Sequence, residues 1–194
     1  MRASSAAAGL TAVAAVLLAL PPVSATAASA GPRAAQIEVV RSSNAYVVVE
    51  SSGHPVVCPS NEVLLDRAHV GDENGWTIYR CGSVFIGGTR VQVSAPKWSA
   101  PQMESDSVFT AGAGEVLVGR SHEEDEQGPT RYATATMTVS GRPVQLASPG
   151  RRTEWQPESV SNFLAMPGEV MVGRQHEGDE NGGTRHLYAK VLAG

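Results

Sequence analysis

The sequence predicts an all-β protein built from β-hairpins, and three observations support this prediction. A stretch of about a dozen positions occurs three times, with its histidines, His69, His122 and His176, spaced by 53 and 54 residues. Each copy has two runs rich in β-branched or aromatic residues on either side of a polar turn. After residue 30, no window shows helical periodicity together with a capping residue.

The first 30 residues are typical of a secretory signal peptide. Arg2 precedes a short apolar run over 10–20, and small residues of the A-x-A type follow at 25–27 and 28–30. The run is too short to span a bilayer. We therefore expect a secreted protein with one domain over 31–194 and no membrane insertion.

Charge argues against a polyanionic partner. The chain has a net charge of −4, with 19 acidic residues against 15 lysines and arginines. A protein that holds nucleic acid needs a basic surface to neutralise phosphates. Nucleic acid is therefore not an expected partner.

Three repeat units of ~54 residues account for most of the expected domain. They cover approximately 37–93, 94–146 and 147–194. One unit has too little core to fold alone, so neighbouring units must bury each other's apolar faces. We expect a pseudo-threefold arrangement, trefoil-like or prism-like, with an irregular sandwich as the alternative.

Within each unit, a Glu-Val-Leu/Met-Val run leads into the turn and a Thr-rich run leaves it. The turn ends in Asn-Gly or Gln-Gly, a pattern typical of tight hairpins. The apolar stretch 37–49 precedes the first motif and is also strand-like. It either pairs within the fold or forms an edge strand able to extend a partner's sheet.

Cys58 and Cys81 are the two cysteines of the chain. In an oxidising compartment such a pair predicts a disulfide. Cys58 precedes the first strand of the first hairpin and Cys81 closes the second, so folding about the turn brings them together.

Three interpretations compete for the repeated pattern Arg-x-His-x-x-Asp-Glu-Asn/Gln-Gly-x-Thr. Its oxygen ligands suit calcium, but the spacing is not that of a calcium loop, and zinc lacks enough His and Cys ligands. Catalysis by a His beside acids conflicts with the repetition, since an active site needs one asymmetric set of roles. The third interpretation is structural. We expect no enzyme activity, no metal and no cofactor.

On the structural interpretation, each arginine pairs with an acid of the following loop, and each glycine takes the left-handed conformation of the turn. Three arginines and three glycines receive this role: Arg67, Arg120, Arg174, Gly75, Gly128 and Gly182. The other polar residues, together with an aromatic at the first loop tip, are candidates for partner contacts: His69, Asp72, Glu73, Trp76, His122, Asp125, Glu126, His176, Asp179, Glu180 and Asn181.

The string Val-Gly-Arg-x-His-x-Gly-Asp-Glu-Asn-Gly-x-Thr is intact at 172–184 and nearly so at 118–130. It resembles a motif of small secreted actinobacterial proteins, of which the suggested family is the adaptor component, component B, of Streptomyces umbrella toxin particles. The resemblance implies a non-catalytic adaptor that bridges a lectin-bearing subunit to a toxin-bearing stalk.

Two functions follow as hypotheses. The first is a secreted, non-enzymatic adaptor whose acidic loops meet other proteins of an antibacterial toxin assembly. The alternative is a carbohydrate-binding lectin, in which weak repeated sites gain avidity on a glycan surface.

Overall fold

The computed structural model describes residues 35–49, 51–72, 74–125, 127–179 and 181–193. The predicted signal peptide, residues 1–30, lies outside the described residues. Within the described ranges no helix occurs, so none could span a membrane. The predicted all-β fold is confirmed.

Eighteen strands, β1 to β18, follow one another along the described residues. In chain order they are β1 (Ile37–Val49), β2 (Val56–Val57), β3 (Val63–Val70), β4 (Trp76–Ile86), β5 (Thr89–Arg90), β6 (Gln92–Val93), β7 (Lys97–Trp98), β8 (Gln102–Met103), β9 (Asp106–Thr110), β10 (Glu115–His122), β11 (Pro129–Val139), β12 (Arg142–Pro143), β13 (Gln145–Leu146), β14 (Arg151–Arg152), β15 (Gln156–Pro157), β16 (Val160–Phe163), β17 (Glu169–Glu177) and β18 (Gly183–Leu192).

Three long antiparallel hairpins form the framework: β3–β4, β10–β11 and β17–β18. Each begins with the predicted apolar run and turns at the predicted polar loop. Each first strand also has one extra residue at the same position: Leu65, Val118 and Val172. These bulges bend the hairpins, and their side chains are buried in the core.

A short strand from a neighbouring segment extends each hairpin. The strand that precedes the first hairpin, β2, pairs with β10 of the second. In the same way β9 pairs with β17, and β16 pairs with β3. The exchange therefore closes a cycle, and β3, β10 and β17 also lie against one another at its centre.

The second strand of each hairpin also has a neighbour on its other side, and this neighbour differs among the three sheets. In the first sheet it is β1, which pairs with β4 along its length with an irregularity between Arg41 and Ala45. In the second sheet three short strands, β6, β7 and β8, occupy this edge. In the third sheet β13, β14 and β15 do so.

Buried apolar side chains from all three hairpins form one continuous core. Cys58 and Cys81 are joined by a disulfide within it, with 5.7 Å between their Cα atoms. The predicted disulfide is therefore confirmed, and it fastens the segment before β3 to the middle of β4.

Candidate interaction surface

The three motif arginines lie in the interior of the protein. Arg67 and Arg174 are each 1% exposed, and Arg120 is 4% exposed. They follow the three bulges, on strands whose neighbours belong to different hairpins. A buried guanidinium needs charged or strongly polar partners, because desolvation of the cation is costly.

Two buried glutamates supply the negative charge. Glu104 lies 2.6 Å from Arg174 and 2.7 Å from Arg120, measured between carboxylate oxygen and guanidinium nitrogen. Glu158 pairs with Arg67 and lies 3.2 Å from Arg174. This differs from the predicted pairing with the acids of the following loops, because both glutamates lie in the turns that precede the exchanged strands.

The three arginines also donate hydrogen bonds to hydroxyl groups. Arg120 donates to the Tyr79 hydroxyl at 3.0 Å, and Arg174 donates to the Tyr132 hydroxyl at 3.3 Å. Arg67 donates to Ser161 of β16 at 3.2 Å. The resulting central ionic cluster links all three hairpins, so we assign it to the framework of the fold.

The balance of burial and charge sets the protonation of this cluster. Burial alone raises the pKa of Glu158, but the cationic Arg67 and Arg174 outweigh it and hold the pKa well below its ordinary value. The pKa of Glu104 is lowered in the same way, with Arg174 the largest charge opposing burial. Both carboxylates are therefore ionised at neutral pH.

The cluster also contains a set of groups that could ligate a metal. One ligand atom each from Glu104, Glu158 and His176 falls within 4.8 Å of the others. Arg174, however, already places its guanidinium against both carboxylates. The arrangement favours this cation over a metal ion.

The three motif histidines are buried rather than presented to a partner. His69 and His176 use Nε2 to bond the loop carbonyls Gly71 O and Gly178 O, at 3.1 and 3.0 Å. Burial and the neighbouring Arg120 lower the pKa of His122 to about 4. Burial, followed by the charge of Arg67, lowers the pKa of His69. We conclude that the histidines position the loops from inside.

The acids of the turns have a structural role as well as an exposed side chain. Asp72, Asp125 and Asp179 each accept a backbone N–H two residues ahead through Oδ1, at 3.0, 3.0 and 2.9 Å. Asn181 is exposed in its turn, whereas Glu73, Glu126 and Glu180 lie outside the described residues.

The turn glycines are required for a different reason from the one predicted. A Cβ at Gly128 or Gly182 would stand 1.8 or 2.0 Å from the carbonyl oxygen of Glu123 or Glu177. At Gly75 the closest atom would be Val70 O, at 2.4 Å. Close backbone approach excludes a side chain there, and left-handed backbone occurs earlier in each turn, at Gly71, Glu124 and Gly178.

Part of the outer face of the first sheet is apolar and exposed. Val70 of β3 pairs with Val160 of β16 on one side and with Trp76 of β4 on the other. Two residues further along β4, Ile78 pairs with Val47 of β1. Val70 and Val160 are each 62% exposed and Trp76 is 59% exposed. We call these five residues the apolar face.

The other two sheets carry charged side chains at two of these register positions. Where the first hairpin has Val70, the second and third have Glu123 and Glu177. Where it has Ile78, they have Arg131 and Arg185. These residues occupy the same positions in their hairpins, counted from the motif arginine and the turn glycine, and differ in their side chains.

Sequence reasoning identified one of the five residues of the apolar face, Trp76. For Val70 and Ile78 the signal was the divergence of the first copy of the repeat from the second and third copies. Glu104 and Glu158 were also missed, although each opens a Glu-Ser pair 54 residues from the other. The same pair occurs at 50–51, where Glu50 lies outside the described residues.

Comparison with known proteins gives no family assignment. No family model matches the chain, and no curated protein or solved structure does so.

Proposed function

We propose that this chain is a secreted, non-enzymatic interaction protein that joins other proteins in an extracellular assembly. The observation that supports this function is the apolar face, since the other two sheets carry Glu and Arg where this face has Val70 and Ile78. Its five residues expose on the order of 500 Å² of surface, which is the size of the largest apolar patch on a typical monomer, and such patches are often functional.

The composition of the face indicates the chemistry of its partner. Trp76 is an exposed aromatic of the kind that anchors protein interfaces, and aliphatic side chains surround it. The loop beside it carries the exposed Asp72, and the chain as a whole has a net charge of −4. A protein surface with an apolar centre and a basic rim complements both features.

The central ionic cluster supports this proposal by making the framework rigid. It joins the three hairpins, and backbone bonds such as Gly71 N to Ser159 O at 2.9 Å tie each turn to a neighbouring segment. A face built on paired strands rather than on loops keeps its shape on binding, which reduces the entropy cost of association. The setting in a toxin particle rests on the motif resemblance.

Carbohydrate binding has less support from the geometry. The exposed acids of the turns already accept backbone N–H groups. The ring of Trp155 is covered by the guanidinium of Arg185, 4.3 Å from its centroid, and so does not offer that face to a sugar.

Affinity purification of the tagged chain from culture supernatant, read by native mass spectrometry, tests the proposal. The variant replaces Val70 by Glu and Ile78 by Arg, which the other hairpins carry in the same backbone positions. We expect wild type to retain partner proteins in fixed stoichiometry and the double variant to lose them while unfolding at an unchanged temperature.

The matched control changes the third sheet at the same two positions, with Glu177→Gln and Arg185→Gln, and we expect it to retain the partners. Equal retention by the face variant would overturn the proposal. Retention of glycans but not of proteins by wild type would favour the lectin.

A further inference from the structure

A groove between the second and third hairpins is a feature that the proposed function does not use. Its volume is about 720 Å³, and it is open to solvent. Buried apolar side chains form its floor: Met137, Val144, Val172 and Ala189. This volume lies within the range of pockets that bind ligands in other proteins.

In the first hairpin, two polar side chains occupy the corresponding place. Asn61 accepts the N–H of Val93 through Oδ1 at 3.0 Å. Arg90 places a guanidinium nitrogen 4.0 Å from the carboxylate of Glu62. The first copy of the repeat therefore provides a backbone donor and a carboxylate with partners from its own side chains.

The second hairpin lacks both of these side chains. It has Gly114 and Pro143 at the positions of Asn61 and Arg90, 53 residues later, and both line the groove. Gly114 and Asn61 share the left-handed backbone, with φ of 75° and 63°. A Cβ at Gly114 would meet no atom within 4 Å, so a side chain has room there. The groove therefore lies where two side chains of the first copy are replaced.

Leu146 is the equivalent of Val93, and it also lines the groove. Ala147 donates its N–H to Lys190 O at 2.8 Å, and this pair follows Leu146 in the register of β13 with β18. Bonded and non-bonded pairs alternate in an antiparallel ladder, so the N–H and C=O of Leu146 point away from β18. Among the described residues, no hydrogen-bond partner for this N–H is found.

Glu115 supplies negative charge at the groove, and among the described residues it is the one charged group of the lining. Its Oε2 accepts the Gly112 N–H at 3.2 Å, which leaves Oε1 for a ligand. The equivalent glutamate of the third hairpin, Glu169, lies 2.7 Å from Arg151. Within the described ranges, no cation lies at ion-pair distance from Glu115.

We propose that this groove binds an extended segment of a partner protein in which an arginine lies between apolar residues. The first copy supplies an amide oxygen and a guanidinium that the second lacks, and such a segment provides both. A backbone carbonyl of the segment accepts the Leu146 N–H, as in the addition of a strand to a sheet. The arginine pairs with Glu115, and its apolar neighbours cover the floor.

The groove gives an adaptor a second binding site with a different chemistry. The apolar face belongs to the first sheet, whereas the groove is lined by the second and third hairpins, and the two share no residue. An adaptor has to bind two proteins at separate surfaces. This inference goes beyond the proposed function and does not depend on the apolar face.

Titration of the isotope-labelled, secreted chain with the blocked peptide acetyl-Ala-Val-Arg-Val-Ala-amide, followed by NMR, tests the groove. We expect a dissociation constant below about 1 mM, with shifts of the amide signals of Ala111, Val144 and Leu146. The same peptide with citrulline in place of arginine keeps the shape and loses the charge. We expect it to bind at least about fivefold more weakly.

A double variant, Gly114→Asn with Pro143→Arg, gives the groove the side chains of the first copy. We expect it to fold as wild type does and to bind the peptide at least about tenfold more weakly. Gly88→Asn is the matched control, because Gly88 has φ of 78° and open space around it but lies at the end of the first hairpin. We expect the control to bind within about twofold of wild type.

Should the double variant fail to fold, Glu115→Gln provides the same test. Glutamine keeps an acceptor for the Gly112 N–H, so we expect only the preference for arginine over citrulline to disappear. Absence of shifts in the wild type up to about 10 mM peptide would overturn the proposal. Equal affinities of the wild type and the double variant would also overturn it.

Two further measurements define the site. Equal affinity for acetyl-arginine amide would show that the cation alone is recognised, which contradicts binding of a segment. The Val70→Glu, Ile78→Arg variant leaves the groove unchanged, so we expect it to bind the peptide as wild type does even where it loses the partners of the apolar face. Loss of peptide binding in this variant would place the contact on the apolar face and contradict the groove.

Discussion

Replacing Arg174 by methionine measures the contribution of the central ionic cluster to stability. Methionine keeps much of the volume and apolar length of the arginine stem, so the main change is loss of the guanidinium. Arg174 is fully buried and lies within ion-pair distance of both Glu104 and Glu158, at 2.6 and 3.2 Å.

Removing one partner of a buried ion pair typically costs about 3–5 kcal/mol, because the other charge is left without compensation. Here each carboxylate keeps a second arginine: Arg120 at 2.7 Å from Glu104, and Arg67 on Glu158. We therefore expect the lower end of that range, about 3 kcal/mol. For a domain of this size the melting temperature should fall by roughly 6–12 °C.

Urea and thermal unfolding followed by circular dichroism provide the assay. Arg142→Met is the matched control, because Arg142 is exposed on β12, and we expect its free energy of unfolding to stay within about 0.5 kcal/mol of wild type. Glu104→Gln in the Arg174→Met background should lower the stability further, because it leaves the buried Arg120 without its carboxylate partner. A loss below about 1 kcal/mol for Arg174→Met, or equal losses for the two arginine variants, would refute the reasoning.

Three further predictions concern the hairpins. Glu124→Gly should stabilise the protein by about 0.5–1 kcal/mol in urea unfolding, because Glu124 has φ 65° where the other turns have glycine. Asp125→Ala should cost about 1 kcal/mol and Asp125→Asn close to nothing, since only asparagine keeps the acceptor for Gln127 N–H; equal losses would show that the charge matters instead. The urea midpoint should fall between pH 6.5 and pH 4, because the pKa of His122 is about 4 when folded and about 6.5 when unfolded, so its contribution is complete above pH 6.5 and declines as the pH drops. The part due to His122 is about 3 kcal/mol at most, and His122→Gln should remove it while leaving the part due to His69, whose pKa is also lowered; an unchanged slope would assign the acid sensitivity to other groups.

The hairpins could be predicted from the sequence because their signals are local. Each has a β-branched run, a polar turn and a second run within about 25 residues, and the disulfide joins the segment just before the first hairpin to its second strand. The exchange of strands between hairpins could not be predicted in this way. The exchanged strands β2, β9 and β16 are two, five and four residues long, too short to show a period, and tertiary contacts fix their partners.

The central ionic cluster was predicted in part. Three repeated arginines indicated a structural role, but the described acids of the loops that follow them, Asp72, Asp125 and Asp179, are exposed in the turns. Their true partners, Glu104 and Glu158, come from separate turns, and Arg67 and Glu158 are 91 positions apart in the sequence. The arginines and glutamates come together only because strands pair between hairpins, so their spacing in the sequence could not predict these contacts.

The apolar face shows what a repeated sequence can reveal when its copies are compared. Residues that are identical in all three copies of the repeat, such as Arg174 and Gly182, belong to the framework. Val70 and Ile78 differ from the residues at the same positions in the second and third copies. The structure was needed to show that these differing residues share one side of one sheet.

The affinity of the recovered partner for three forms of this chain tests the central claim most directly. The forms are wild type, the Val70→Glu, Ile78→Arg variant, and the Glu177→Gln, Arg185→Gln control on the third sheet. If the apolar face is the binding surface, the first variant should weaken binding by at least about 30-fold, which corresponds to the loss of a central contact. The control should stay within about threefold of wild type. Equal affinities for all three forms, or a loss confined to the control, would contradict the account.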